Sequence, residues 1–447
     1  MGFRFTLLPI FVIANLLAAV ALRRAFAHWF PPKYRRGATA SIATVYLLLN
    51  APLVVFFFPA ADAALGKVSP TLLRIFFYPS TAWMATLIAL LLASIVVLPL
   101  ALAWKLLKRG ISLVRGDRRA TQALSVETTV PLSLSEESPS PSCRDFLGQS
   151  AGVFVAGVYG VAAYGCYSNI GEIDVSPEHY VPIPNLPRSL EGLTVVQISD
   201  LHVGPYIRQK ELEHVVSLVN QLHPDLVAIT GDVLDRHLAS LPDAVKGLSG
   251  LRSNFGAFAV LGNHDYYADR FSSSGAYRGG VKIAQGLASI KIQTLRNQVV
   301  HIAEGNDRLA LLGLDWLTTG PNDRNFFSYK PVETRRQLKR MLQEAAPEAP
   351  KILLAHHPDT FQEVPAEIGL TLSGHTHGGG QVILGSIDGK PIGVGSLRFK
   401  YLSGLYQKNG SSLYVNRGIG YLGIPIRINC PPEISRFRLV RAAEKDS

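Results

Sequence analysis

Cysteine is scarce. Three thiols in 447 residues, Cys143, Cys166 and Cys430, are too few and too scattered for a disulfide framework or a cysteine-built zinc site. Charge is scarce as well: charged residues make up 17% of the chain against 48% hydrophobic, which is apolar for a soluble protein. Acidic residues are the rarer sign, and the formal net charge is +11. A nucleic-acid binder carries such an excess as a basic face on a folded domain. Here residues 1–170 hold 15 Lys and Arg against 6 Asp and Glu, whereas the remainder holds 29 against 27. The excess sits in the apolar half, where positive charge marks membrane orientation, so no nucleic-acid partner is expected. The length calls for at least two folded units, and no internal repeat is present.

Four stretches contain no Asp, Glu, Lys or Arg: residues 5–22, 37–61, 75–104 and 146–171. Each covers the roughly 20 residues of a bilayer-spanning helix. The fourth is rich in Gly and Ala, and its small residues favour close packing on a neighbouring helix. Its alternative is a buried core helix. The loop after the first stretch carries Arg23, Arg24, Lys33, Arg35 and Arg36, and the loop before the fourth carries seven basic residues from Lys105 to Arg144. Only Lys67 and Arg74 lie between the second and third. The positive-inside rule puts the two basic loops in the cytoplasm. With four transmembrane helices, everything after residue 171 is extracytoplasmic; if 146–171 does not cross, it is cytoplasmic. The expected order is a membrane region with three helices over 1–119, a polar Ser/Thr/Pro-rich linker over 120–145, and a fourth helix over 146–171. Ser142–Leu147 also resembles a twin-arginine export signal reduced to one arginine, and reads as a remnant.

From about residue 190 the pattern changes to short apolar runs. Thr194–Ser199 ends at Asp200, Leu226–Thr230 at Gly231-Asp232, Ala257–Leu261 at Gly262-Asn263, Lys351–Ala355 at His356, and Leu370–Ser373 at Gly374-His375. Near-continuous apolar runs of this length suit strands buried on both faces. Between the first two, Leu212, Val215, Val216, Val219 and Leu222 form one helical stripe. Strand, helix, strand implies a layered α/β domain. Each strand delivers Asp, Asn or His just past its C-terminal end, the edge at which open α/β sheets bind ligands.

Five groups follow: Asp200-Leu201-His202, Gly231-Asp232 with Asp235, Gly262-Asn263-His264-Asp265, His356-His357, and Gly374-His375-Thr376-His377. Singly, each reads as a turn, a helix cap or a core histidine. Together and in order, they supply carboxylate, imidazole and amide oxygen, a donor set for divalent Mn, Fe, Zn or Co. Glycines 231, 262 and 374 allow sharp backbone bends beside the ions. The other six histidines read as ordinary. Arg417 and Arg427 read either as clamps for a phosphate oxygen or as surface ion pairs.

The five groups resemble the calcineurin-like metallophosphoesterase superfamily, over about residues 180–442. SDLHVGP at 199–205, LGNHDYY at 261–267, LSGHTHGG at 372–379 and YVNRGIG at 414–420 resemble its membrane-attached phosphodiesterase branch more narrowly. Three glycines precede Gln381 where that branch has two. The resemblance implies a four-layer αββα sandwich and two divalent metal ions. Asp200, His202 and His377 would bind the first, Asn263, His356 and His375 the second, and Asp232 both. His264 would protonate or stabilise the leaving oxygen, Asp235 would support His264, and His357 and Asp265 would lie behind the ligands. Water activated between the ions would attack phosphorus. The implied protein is a membrane-anchored phosphodiesterase, with a lipid-linked substrate favoured by its tether. Its rivals are a phosphomonoesterase or phosphoprotein phosphatase, and a non-catalytic metal-binding sensor. A transporter is disfavoured, because the spans lack central ionisable groups.

Overall fold

The computed structural model describes residues 15, 18–19, 32–50, 52, 65–114, 143–168, 171–268, 279–318 and 328–442. Most of the first apolar stretch, most of the second beyond Asn50, and residues 120–142 of the expected 120–145 linker fall outside them, while Cys143–Asp145, expected as linker, begin a helix. The chain divides into two compact units: Met1–Pro59 with Pro79–Ala163, and Ala60–Tyr78 with Tyr164–Ser447.

The first unit is helical, with α1 over Arg35–Asn50, α2 over Tyr78–Val114 and α3 over Cys143–Tyr167, whose last turn belongs to the second unit. Trp83 centres its packing, edge-on to Tyr46 at 5.8 Å and tilted against Tyr159 at 6.4 Å. Among the described residues one helix is long and apolar enough to cross a membrane, Pro70–Lys108, of 39 residues and mean hydropathy 2.7. Beyond Leu87 its apolar side chains are largely exposed, whereas Leu73 and Leu87 are buried. The apolar run in α3, Gly152–Tyr167, is shorter than a full span.

The second unit alternates as its pattern predicts. Its first strands are β1 (Asp174–Ile183), β2 (Thr194–Ile198), β3 (Leu226–Thr230), β4 (Ala257–Val260), β5 (Ile292–Thr294), β6 (Gln298–Glu304) and β7 (Asp307–Leu314). Then come β8 (Lys351–Ala355), β9 (Ile368–Ser373), β10 (Ile383–Ile387), β11 (Lys390–Gly393), β12 (Gly404–Lys408), β13 (Ser411–Val415) and β14 (Glu433–Arg441). Its helices include α4 (Gln209–Gln221), α5 (Leu241–Leu248), α6 (Asn263–Tyr267), α7 (Gly279–Ala288) and α8 (Pro331–Glu344).

One six-stranded sheet runs β1-β14-β2-β3-β4-β5 and the other β12-β13-β9-β8-β7-β6, with β10-β11 a separate hairpin. β2 to β5 are mutually parallel, and so are β7, β8, β9 and β13. Period-two alternation sorts each strand between layers. Val195, Leu226, Ala228, Phe258 and Val260 meet Leu311, Ile352, Leu354, Leu370 and Leu372 between the sheets. The alternate residues Val196, Ile198, Val227 and Ile229 pack outward on Leu212, Val215, Val216 and Val219 of α4 and on α5 and α7. On the far side Leu312, Leu353 and Leu413 pack on Leu338 and Met341 of α8. Three apolar interfaces between four layers result, each fully buried side chain contributing roughly 1.5–3 kcal/mol. The arrangement turns the C-terminal ends of β2, β3 and β4 and of β8, β9 and β13 toward one edge.

Candidate metal centre

Every loop that carries a candidate ligand leaves the C-terminal end of a parallel strand. Ser199–His202 follow β2, Gly231-Asp232 follow β3, Gly262–His264 follow β4, His356 follows β8, and Gly374–His377 follow β9. Main-chain bonds tie these loops together. The Asp200 N–H donates to the Gly231 carbonyl at 2.9 Å, His202 to Asp232 at 3.0 Å, and Gly374 to His356 at 3.1 Å. Across the sheets, the His375 N–H donates to the Asp200 carboxylate at 3.0 Å.

The backbone bends hard where the ligand types sit. Asp200, His202, Asp232, His375 and His377 all have left-handed φ, between +44° and +73°. For a residue with a Cβ this costs on the order of 1 kcal/mol or more, and such outliers collect at functional sites. Gly262 and Gly374 make room for the acids. A Cβ on Gly262 would stand 2.1 Å from Asp232 Oδ1, and one on Gly374 would stand 2.1 Å from Asp200 Oδ2. The run His377–Gln381 is left-handed throughout, which the third glycine permits.

The side chains converge into two groups. Ligand atoms of Asp200, His202 and His377 lie within 4.8 Å of one another, and so do those of Asp232, His356 and His375. His202 Nε2 is 2.9 Å from His377 Nε2, which is 3.4 Å from Asp200 Oδ1. His356 Nε2 is 3.1 Å from Asp232 Oδ2, and His375 Nδ1 is 3.2 Å from His356 Nε2. Asp232 joins the groups, 3.7 Å from His202 Nε2. His202, Asp232 and His264 form a third close set, but His264 Nδ1 is engaged 2.6 Å from the Asp235 main-chain carbonyl.

The segment 193–379 matches the sequence pattern of the calcineurin-like phosphoesterases. An uncharacterized metallophosphoesterase of Bacillus subtilis, YkuE, is 31% identical over 314 residues, spanning 67% of this chain and 97% of that one. The chain belongs to the calcineurin-like phosphoesterase family. A Bos taurus transmembrane protein with metallophosphoesterase domain is 33% identical over 273 residues, 59% of this chain. The chain spans about half, 56%, of that relative's length. A dimetal phosphatase structure from Danio rerio is 13% identical with a TM-score of 0.30, covering 51% of this chain and 88% of that one, too remote a likeness to carry an argument.

The residues of this metallophosphoesterase fit divalent cations on their own evidence. Asn263 Oδ1 is buried without a hydrogen-bond partner, which costs free energy unless something binds it. Burial, helped by neighbouring imidazoles, pushes His375 and His377 well below the usual histidine range, so their rings stay neutral with lone pairs free for an ion. Burial alone would raise Asp232, but His356 and His264 outweigh it and hold the carboxylate well down. Burial opposes charge on His356, yet Asp232 and Asp200 lift it to about 9. That imidazolium donates from Nδ1 to the Thr230 carbonyl at 2.7 Å and faces Asp232 with Nε2. In the cation-free protein a proton thus supplies the positive charge that a metal would.

Asp235, Arg427 and Arg417 each have defined partners. Asp235 meets His264 through its carbonyl; its carboxylate lies 3.6 Å from that ring, and 3.5 Å from His202 Nδ1 and from Arg236. Arg427 is fully buried and donates to the carbonyls of Cys430, Gly418 and Gly420. Arg417 is bound to Glu433 at 2.6 Å and Asp174 at 2.5 Å. Arg417 thus makes the ion pairs of its second reading, and Arg427 holds the loop whose Gly418 and Gly420 pack on Asp200 and His202. Of the two residues expected behind the ligands, Asp265 accepts from the N–H groups of Gly262 at 2.9 Å and Leu234 at 3.0 Å, joining two site loops. His357 stacks on Trp316 and is held neutral by burial, down to about 3.

The motifs missed Ser199, which donates to Asp200 Oδ2 at 2.5 Å. They also missed Gln197, whose amide bridges Thr230 Oγ1 and the Ser373 carbonyl at 2.8 and 2.9 Å. Trp316 and Phe399 flank His375 with ring centres at 5.4 and 5.3 Å. Trp316 had a signal: it follows Asp315 at the end of β7, the same strand-then-acid pattern.

Proposed function

We propose that this chain is a membrane-anchored phosphoesterase that hydrolyses a phosphodiester with two divalent cations. The observation that carries the reading is the pair of buried His/carboxylate groups, within 4.8 Å internally, beside the partnerless Asn263 oxygen. Asp200, His202 and His377 would hold one ion, Asn263, His356 and His375 the other, and Asp232 would contact both. When bound, such a pair lowers the pKa of a water and neutralises charge on phosphoryl oxygens.

The protein's own groups do the rest. The His356 Nδ1–H bond to Thr230 aims Nε2 inward, as an orienting partner does for a metal-binding imidazole. His264 is held at Nδ1 by the Asp235 carbonyl, which leaves Nε2 to face the leaving oxygen. Burial lowers the His264 pKa, so a proton on Nε2 is readily given up. Water oxygen bonds to phosphorus and releases a proton, the ester P–O bond breaks, and the departing alkoxide takes the proton from His264 Nε2, which the proton released by the water replaces. Trp316 and Phe399 wall the second ion's side and suit an apolar or aromatic ester group.

Membrane attachment rests on the long apolar helix Pro70–Lys108 and on the similarity to the Bos taurus transmembrane protein with metallophosphoesterase domain. The basic loops support four spans with the catalytic unit extracytoplasmic where α3, with its apolar run Gly152–Tyr167, crosses the bilayer, and a cytoplasmic catalytic unit where it does not. The test is hydrolysis of bis(p-nitrophenyl) phosphate by purified full chain. Asp232→Asn should abolish a metal-dependent activity while the protein stays folded. Full activity in that variant, or in chelator-treated protein, overturns the reading. A parallel p-nitrophenyl phosphate assay separates diesterase from monoesterase.

A further inference from the structure

The β10–β11 hairpin and the turn after it expose an unusual amount of apolar surface. Leu384 is 71% exposed, Ile387 65%, Val394 61% and Leu397 93%. Residues 383–400 carry Lys390, Arg398 and Lys400 against a single acid, Asp388. Apolar tips between cations are the composition of a segment that lies in an anionic lipid interface.

The hairpin pairs with the strip of chain at residues 426–428. Val382 pairs with Ile428, and Ile383 donates to the Ile428 carbonyl at 3.0 Å. Residues 426–428 also receive the end of α3: the Arg427 N–H donates to the Gly165 carbonyl at 2.9 Å, and a Cβ on Gly165 would stand 2.7 Å from Ile428. Tyr78 meets Tyr206 at 6.1 Å, and Tyr206 meets Tyr421, a few residues before that strip, at 5.9 Å. On its other side the hairpin borders the metal centre. The left-handed run 377–381 leads from His377 into β10, and Phe399 packs on His375.

We infer that residues 383–400 dock into an anionic bilayer surface. Leu384, Ile387, Val394 and Leu397 enter the interface, and Lys390, Arg398 and Lys400 contact the lipid phosphates. The docked hairpin holds the rim of the metal centre at the headgroups, which makes a membrane phosphoester the substrate class. The inference rests on the proposed membrane anchoring and hydrolysis.

The experiment uses the full chain with Cys143→Ser, reconstituted into phosphatidylcholine vesicles with or without phosphatidylglycerol and containing doxyl-labelled acyl chains. An environment-sensitive fluorophore is attached at Leu397→Cys, with Ser217→Cys on exposed α4 as the control. Cys166 and Cys430 are buried and stay unlabelled. The label at 397 should be quenched by the doxyl lipid, more strongly with phosphatidylglycerol, while the label at 217 stays in water. Lys390→Ala with Lys400→Ala should lower the docked-to-free ratio by about fivefold per charge removed. Equal quenching at both positions, or none at 397, overturns the docking. Bis(p-nitrophenyl) phosphate hydrolysis in the same samples reports on catalysis separately, so loss of docking with retained hydrolysis is distinguishable from failure of the enzymatic reading.

Discussion

Asn263 offers the sharpest test of the metal centre, because its replacement should act with opposite sign in the two states of the protein. The side chain is 3% exposed and its Oδ1 has no hydrogen-bond partner. A stranded buried acceptor costs about 1–3 kcal/mol. Asn263→Leu keeps similar bulk and removes that acceptor, so the chelated variant should be more stable than the chelated parent by about 1–2 kcal/mol. For a unit of this size, that raises the midpoint by about 2–4 °C per kcal/mol. With cations the order should reverse. At a metal concentration 100 times its Kd, the parent gains about 2.7 kcal/mol. Loss of a ligand should weaken affinity by at least the 10–100-fold that follows from disturbing an outer partner. At a 100-fold loss, the variant gains only about 0.4 kcal/mol at the same concentration. Thermal melts in EDTA and across a Mn²⁺ or Zn²⁺ titration read both arms. A variant less stable in both conditions, or one with the parent's metal-induced shift, refutes the argument that Asn263 waits for an ion.

Metal binding should depend on pH through His356. Its folded-state pKa is raised to about 9, above the ordinary 6.5, so its imidazolium stabilises the cation-free protein fully below pH 6.5 and loses that contribution as pH rises through 9. A cation must displace this proton, so apparent affinity should rise about tenfold per pH unit toward pH 9 and then level off; calorimetry in buffers of different ionisation enthalpy that detects no proton release contradicts this. Arg427→Lys should destabilise the protein by at least about 2 kcal/mol, because one ammonium cannot reproduce the guanidinium fork over the carbonyls of Cys430, Gly418 and Gly420. The same change should weaken metal binding, since Gly418 and Gly420 pack on Asp200 and His202; unaltered denaturation midpoint and metal affinity would contradict the scaffold role.

The five candidate groups were legible because each obeys a local rule, an apolar strand followed at once by Asp, Asn or His. What escaped depends on main-chain atoms or on distant segments meeting. Asp235 was expected to act through its carboxylate, yet the contact with His264 is made by its carbonyl, an atom every residue carries. Arg427 looked like a surface or phosphate-binding residue because its surroundings, residues 417–420 and 430, come together only when the loop after β13 folds back. β1 and β14, paired in parallel beside β2, have no comparable marker, since their ion pairs, such as Glu178 with Arg436 and Arg438, join residues far apart in the sequence. The glycines of the motifs link the two levels. Gly262 and Gly374 are readable as turn residues, but their positions are set by carboxylates elsewhere in the chain. A methyl group at 262 would overlap Asp232, 30 residues upstream, and one at 374 would overlap Asp200 on the opposite sheet. A glycine beside a ligand thus records the space required by a different ligand, which is why the motifs occur as a set and why each alone is uninformative.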